Sequence, residues 1–386
     1  MKPHSRILFI VNKLSVGGAE KHTLQLIAGL SSLGFECSLA VLKPNFDMLT
    51  AHHRQKLHRL VSLNVKKRLD WQSIEELSGF IETQRIDSIV CVDMYPMLYG
   101  YFAGKRAKRS CQLVEVLHFT TPANLYEKLK IGVYRFFFRR FCHVVFVSEN
   151  QRKYWLEKQG LKPKSSSTIL NGIDVQRYSG EGLAGAADTV RRELNLSQSS
   201  LVIGVCAALR PHKGHLLLVE SLHRLRNRGV DAHLLIIGDG VERARIESSV
   251  KQLGLTQHVS LVGSQSDVRP YVSACDCMVV PSTAVETFSL SILESMAMAK
   301  PVVSSRIGGA DEQIDHGISG LLFEKKDVDG LVAQLLTLTN EKVRQELGLR
   351  AHRKVAQNFT LDGMIAKYAR LLSRGRLNLP QQELQR

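Results

Sequence analysis

Short runs of consecutive apolar residues recur along this chain. Each is followed by a stretch with apolar positions three and four apart. In the first half the runs are RILFIV (6–11), ECSLAVL (36–42), DSIVCV (87–92), CQLVEVLH (111–118) and HVVFVS (143–148). In the second half they are LVIGVCAAL (201–209), AHLLIIGDG (232–240), HVSLVG (258–263), CMVVPS (277–282) and KPVVSS (300–305). Most are continuous rather than alternating, the pattern of strands buried on both faces. The segments between them, such as HLLLVESLHRLRNRG and VERARIESSVKQLG, have helical periodicity and end in glycine. Strands alternating with helices predict an α/β fold with parallel sheets.

The alternation pauses at the Gly/Ala-rich stretch 178–190, YSGEGLAGAADTV. A chain of 386 residues exceeds what one core usually holds. Two doubly wound halves follow: a first domain over 1–180, a linker over 181–197 and a second domain over 198–360. Ligands of such sheets bind at the carboxyl ends of the strands, which places the expected site in the cleft between the halves. The polar end of the chain, RLNLPQQELQR, reads as a frayed tail.

Charge narrows the partners. The formal balance is +16 and the isoelectric point is about 9.6. That favours phosphorylated substrates, an anionic membrane or nucleic acid. Seven cysteines, with no C-x-x-C pair, predict reduced thiols in a cytosolic protein. The apolar run Ile7–Val11 is too short for a signal-peptide core and reads as the first strand. No segment approaches the roughly 20 apolar residues that span a bilayer. A soluble or at most surface-bound protein is expected.

Three stretches carry candidate chemistry. The first is PSTAVETFSLSILESMAMAKPVVSSRIGG (281–309), with Glu286 and Glu294 separated by seven residues. Pro281–Ser282 closes a strand. FSLSILESMAMA then reads as a helix with Leu290, Leu293, Met296 and Ala297 inward, and with N–H groups near Thr287–Leu290 open to an anion. Eight helical residues would hold two carboxylates about 12 Å apart, unsuited to a glycosidase pair facing across one bond. Carboxylates also accept hydrogen bonds from vicinal hydroxyls, as on a ribose. Helix-start acids favoured by the dipole are the other reading, and spacing leaves both open.

The second stretch is ALRPHKGHLLL. It places Arg210 and Lys213 in a strand-to-helix turn, where two cations suit a diphosphate. The third is NKLSVGGAEKH, where Gly17–Gly18 precede a helix and let backbone approach a ligand. It is neither a Walker loop nor G-x-G-x-x-G, which disfavours a nicotinamide cofactor. The DVD at 327–329 mimics a metal motif but falls at a helix start, where capping is the better reading.

Together these stretches resemble the retaining glycosyltransferases of family 4, which have the GT-B architecture of two facing Rossmann-like domains. The motifs are the E-x7-E stretch from Pro281, GGADEQIDHGISGLLF after it, LRPHKG before it and LLIIGDG between, with GGAE (17–20) and NGID (171–174) in the first half. The resemblance is nearly continuous from about Leu201 to Phe323 and limited to motifs before that. It implies a nucleotide-sugar-binding second domain, an acceptor-binding first domain, and a helix in 361–386 that returns to the first domain.

The resemblance also implies roles. Arg210 and Lys213 neutralise the donor diphosphate, and Gly18 borders it from the other domain. Glu294 binds the ribose hydroxyls and Glu286 touches the transferring sugar. The amides of Phe288, Ser289 and Leu290 cap the phosphate. His118, in VLHFTTP, matches a cleft histidine near the sugar, with a core or strand-end histidine as the other reading. Glu312 reads as structural. Ser289, Ala299 and Ala208 stand where the family commonly has glycine, which leaves the donor sugar open.

The implied activity is retaining transfer of a hexose or N-acetylhexosamine to a glycan or lipid-linked acceptor, as in cell-surface polysaccharide or lipopolysaccharide biosynthesis. No metal and no cofactor besides the nucleotide-sugar co-substrate is implied. The alternatives are another GT-B enzyme, such as a nucleotide-sugar epimerase, or a non-enzymatic basic module that binds membrane or nucleic acid.

Between Gly104 and Phe141 lie nine Lys/Arg and two Glu. YEKLKIGVYRFFFRRF (126–141) interleaves these cations with aromatics, which fits an interfacial helix on anionic lipid. The competing readings are single-stranded nucleic acid, or a helix whose phenylalanines join the core. A lipid-linked acceptor favours membrane over nucleic acid. The expected location is therefore cytoplasmic, with the inner face of the plasma membrane as a peripheral site.

Overall fold

The computed structural model describes residues 5–15, 17–119, 132, 134–139, 143–179, 182–284 and 286–373. The chain divides into two compact units. One holds the described residues up to Asn171 and those from Leu361 onward; the other is Gly172–Thr360.

The first unit is built on a seven-stranded sheet in the order β3-β2-β1-β4-β5-β6-β7, with every pair parallel. Its strands are β1 (Arg6–Val11), β2 (Glu36–Val41), β3 (Arg59–Ser62), β4 (Ser88–Val92), β5 (Gln112–Leu117), β6 (His143–Phe146) and β7 (Ser165–Thr168). The second unit has six parallel strands in the order β10-β9-β8-β11-β12-β13. They are β8 (Leu201–Cys206), β9 (Ala232–Ile237), β10 (Val259–Leu261), β11 (Cys277–Val280), β12 (Val302–Ser305) and β13 (Leu321–Phe323). All ten apolar runs become strands. The other three, β3 (RLVS), β7 (SSST) and the three-residue β13, are sheet edges. Edge strands need an apolar pattern least, and the polar β7 has no apolar signal at all.

The central strands are fully enclosed. Ile7, Leu8, Phe9 and Ile10 of β1 have no exposed surface. Burial of each such side chain stabilises by about 1.5–3 kcal/mol. Helices α1 (Gly18–Ser32), α2 (Ala51–Lys56), α3 (Trp71–Thr83) and α4 (Met94–Arg106) belong to this unit. So does the helix Leu361–Leu372, whose Ile365 sits where a Cβ on Gly29 of α1 would be. Gln112 Nε2 donates to the carbonyl of Leu371 at 3.5 Å, which joins the same helix to the start of β5.

The stretch expected as a linker over 181–197 is largely not one. It contains the helix Ala186–Glu193, which belongs to the second unit. Arg191 on that helix is buried. It donates to the Ala274 carbonyl at 3.0 Å and pairs with Asp276 at 2.9 Å. Glycines flanking a short helix read as a linker because the anchoring arginine has no periodic signature. Of the basic–aromatic segment, Tyr126, Lys128, Lys130, Arg140 and Phe141 lie outside the described residues.

The helix predicted after Pro281 runs Leu290–Ala297. Leu293, Met296 and Ala297 are inward as expected, while Leu290 is only half-buried and Ile292 takes the core position. The helix ends in a Schellman motif: Lys300 N–H bonds the Ser295 carbonyl at 3.0 Å and Ala299 N–H that of Met296 at 3.0 Å. Ala299 therefore adopts φ 55°, a left-handed conformation that costs a non-glycine residue about 1–2 kcal/mol.

Candidate active site

In both sheets the strand order reverses at one place. In the second unit it lies between β8 and β11. Open α/β sheets bind ligands there, outside the carboxyl ends of the strands. The Arg210–Lys213 turn follows β8, and the segment Pro281–Ser289 follows β11.

These two segments are bonded to each other. Pro211–Lys213 forms one 3-10 turn, closed by Lys213 N–H to the Arg210 carbonyl at 3.0 Å. Thr283 N–H donates to the His212 carbonyl at 2.8 Å. Lys213 Nζ then reaches Glu286 Oε2 at 2.7 Å, and Ser282 Oγ donates to the same oxygen at 2.9 Å. Arg210 is exposed, and no described residue holds its side chain. One cation is thus braced and one is open to a ligand.

Two glycines make the close approach possible. Gly214 has φ 75°, and a Cβ there would lie 1.9 Å from the Pro281 carbonyl oxygen. Gly308 has φ 62°, and a Cβ would lie 1.7 Å from the Glu286 carbonyl oxygen. Gly309 N–H bonds the Thr287 carbonyl at 2.9 Å, so the 306–309 loop runs along the backbone of Glu286 and fixes it.

Glu294 lies on the fifth residue of its helix and is buried, only 8% exposed. Phe288 is also buried, edge-to-face on Phe359 at 5.6 Å. The amides at 288–290 are not all open to an anion. Ser289 N–H donates to Gln313 Oε1 at 3.0 Å, and Gln313 Nε2 returns to the Ser289 carbonyl at 2.8 Å. Gln313 is fully buried and locks the helix start to the segment Ala310–Gln313. Ser289 Oγ lies 3.0 Å from Ser291 Oγ. Gln313 escaped sequence reading although it stands in the quoted GGADEQIDHG stretch; a buried glutamine among acids has the pattern of a solvated turn. Glu312 beside it is half-buried.

The acids of the DVD are both engaged. Asp327 accepts from Gly330 N–H at 2.9 Å as an N-cap, and Asp329 pairs with Arg224 at 2.8 Å.

His215, next to the cationic turn, is 3% exposed and neither ring nitrogen has a partner among the described residues. Burial, with the Lys213 charge, pushes it down to about 4. The unfolded chain therefore takes up this proton first as pH falls. The stability present above about pH 6.5 is lost progressively down to about pH 4, by about 3 kcal/mol in total. His215→Leu is expected to flatten this part of the pH profile, read as urea midpoints at pH 7.5 and 4.5.

In the first unit the strand order reverses between β1 and β4. Gly18 is the first residue of α1, beyond the end of β1. His118 follows β5, and its N–H donates to Asp93 Oδ1 at 2.9 Å. Asp93 follows β4 with φ 66° and ψ 163°, a region nearly restricted to glycine that costs about 1–3 kcal/mol. Burial pushes its carboxyl up to about 6. The His118 ring sits edge-to-face on His22 at 4.7 Å, and His22 on Tyr368 at 5.8 Å. Burial holds His118 down at about 4, so its imidazole is neutral at pH 7. Asp93, His22 and Tyr368 were not legible beforehand, because their positions become neighbours only through the sheet order and the returning helix.

Residues 187–354 match the family described as Glycosyl transferases group 1, and residues 16–177 match Glycosyltransferase Family 4. N-acetyl-alpha-D-glucosaminyl L-malate synthase of Bacillus anthracis is 30% identical over 210 residues, which is 54% of each chain. The UDP-Gal:alpha-D-GlcNAc-diphosphoundecaprenol alpha-1,3-galactosyltransferase of Escherichia coli is 22% identical over 90% of this chain and 91% of its own. Some relatives are thus matched over about half their length and others over nearly all of it. Among solved structures, Anabaena Alr3699/HepE in complex with UDP superposes with TM-score 0.84 at 22% identity, covering 95% of this chain and 99% of that one. The two parallel-sheet units are those of the GT-B fold.

Proposed function

Because the chain belongs to the group 1, family 4 glycosyltransferases, we propose that it transfers a hexose or N-acetylhexosamine from a nucleoside-diphosphate sugar with retention. The acceptor in this reading is a glycan or lipid-linked sugar of cell-surface polysaccharide or lipopolysaccharide biosynthesis. The observation that carries it is the Lys213–Glu286 contact at 2.7 Å, which joins the segments after β8 and β11 at the switch point. The relatives add support. The Anabaena protein's structure contains UDP, and the Escherichia coli enzyme's name specifies a UDP-galactose donor and a diphosphoundecaprenol-linked acceptor.

In this reading Arg210 and Lys213 face the diphosphate. Negative charge grows on the leaving oxygens as the sugar departs, and cations already in place stabilise it without reorganising. They supply the charge that a divalent cation supplies in metal-dependent transferases, so neither metal nor bound cofactor is required. Glu294 accepts hydrogen bonds from the ribose hydroxyls. Glu286, oriented by Lys213 and Ser282, accepts from the hydroxyls of the transferring sugar. Neutral His118 can donate to that sugar without bringing a charge.

Cytoplasmic location is part of the proposal. It is supported by the free cysteines, of which Cys37, Cys91, Cys275 and Cys277 are buried thiols. Among the described residues no helix is long and apolar enough to cross a membrane.

A thermal-shift screen against nucleoside diphosphates and nucleotide sugars tests the reading. A true donor at 100-fold its dissociation constant adds about 2.7 kcal/mol of stability. Product from the best donor should keep its anomeric configuration by NMR. No shift with any diphosphate, or inverted product, contradicts it.

A further inference from the structure

We propose that the first unit carries a second ligand site, remote from His118, that takes the phosphate of a membrane lipid headgroup. It lies at the opposite end of β5. Cys111 precedes that strand and His118 follows it, which separates the two by about 20 Å. A cavity of about 400 Å³ opens there, between the end of α4 and the loop into β5. Tyr101, Lys105, Lys108, Arg109 and Cys111 line it over an apolar floor that includes Ile89.

The charges leave room for an anion. Arg109 pairs with Asp87 at 2.6 Å and bonds the Ile86 carbonyl at 2.9 Å. Lys108 N–H donates to Glu82 Oε1 at 2.7 Å, which pins the loop, while its ammonium has no partner among the described residues. The Lys108 ammonium is thus the charge offered to an anion. Burial pushes the Cys111 thiol up to about 11, so it adds no negative charge.

The second observation is continuous with the first. The Tyr101 ring that lines the cavity meets Phe137 at 4.9 Å and Phe102 at 5.2 Å. Phe102 meets Trp71 at 5.4 Å, and Phe137 meets Phe136 at 5.6 Å. This edge-to-face network ends in two rings open to solvent, Trp71 at 57% and Phe136 at 54% exposure. Exposed Arg135 and Arg139 flank Phe136. Aromatic rings beside cations match the headgroup level of an anionic bilayer. A free phosphate would use the cavity and leave the rings unexplained, so the occupant assigned is the lipid.

Flotation of the full chain tests this, with vesicles of an uncharged galactolipid host. The vesicles carry either phosphatidylglycerol or an equal charge of oleate. The protein should float with phosphatidylglycerol at low salt and less with oleate. Lys105→Gln with Lys108→Gln should lower vesicle affinity about tenfold and abolish the preference for phosphate. Trp71→Ala with Phe136→Ala should lower affinity and keep the preference. Arg245→Gln with Lys251→Gln, on the second unit, should change nothing. Thermal shift with a nucleoside diphosphate should be unaltered in all variants, which separates this site from the donor site. Absence of flotation overturns the proposal. Equal binding to oleate vesicles, or an equal loss in the second-unit control, replaces it with diffuse electrostatic attraction.

Discussion

Lys213→Ala lowers turnover by about two to three orders of magnitude, the usual cost of losing one preorganised group that meets developing charge. The substrate KM changes less than turnover, because departure of the sugar adds a further negative charge to the diphosphate that only the transition state presents. A second effect accompanies the first. Removing the ammonium leaves the Glu286 carboxylate, 16% exposed, with Ser282 as its one donor among the described residues. A double-mutant cycle separates the two. If Lys213 served only to neutralise Glu286, adding Glu286→Gln would restore turnover. The account predicts no restoration, since Glu286 is itself required at the sugar. Rate measurements on the four proteins at saturating donor decide between them.

Gly308→Ala destabilises the second unit by about 2–4 kcal/mol and removes activity together with stability. The left-handed φ of 62° accounts for about 1 kcal/mol of that. The rest comes from a methyl 1.7 Å from the Glu286 carbonyl oxygen, where both partners are backbone and no side-chain rotation relieves the overlap. The loop carrying Glu286 must therefore move. Gly317 supplies the comparison: its φ is 76°, but a Cβ would meet no atom within 4 Å. Gly317→Ala should cost only the backbone strain and leave activity intact. Similar losses in both variants, by denaturant unfolding, would show that the close approach at Glu286 is not what Gly308 provides.

Much of the fold was legible because parallel strands buried on both faces announce themselves as unbroken apolar runs. Edge strands do not, and β7, read as SSST, could not have been found that way. The candidate site was legible where a turn carries its own chemistry, as Arg210 and Lys213 do. It was not legible where chemistry depends on meeting. Nothing near Gln313 in the chain says that its amide will close around both backbone groups of Ser289. The Lys213–Glu286 pair spans 73 residues, so the brace emerges only when β8 and β11 lie side by side. The expected capping amides show the converse failure. A helix start can be predicted from sequence, but which of its N–H groups are already engaged cannot.

The central claim is that the turn after β8 holds a diphosphate. Calorimetric titration compares the nucleoside diphosphate selected by the thermal-shift screen with its parent nucleoside. Both are titrated into the unaltered protein and into Arg210→Ala with Lys213→Ala. Each charge-assisted bond contributes about 1.5–3 kcal/mol, so the diphosphate should gain at least about a hundredfold in affinity over the nucleoside in the unaltered protein. The account predicts that this gain disappears in the double variant while nucleoside affinity is kept. The same gain in both proteins would contradict it.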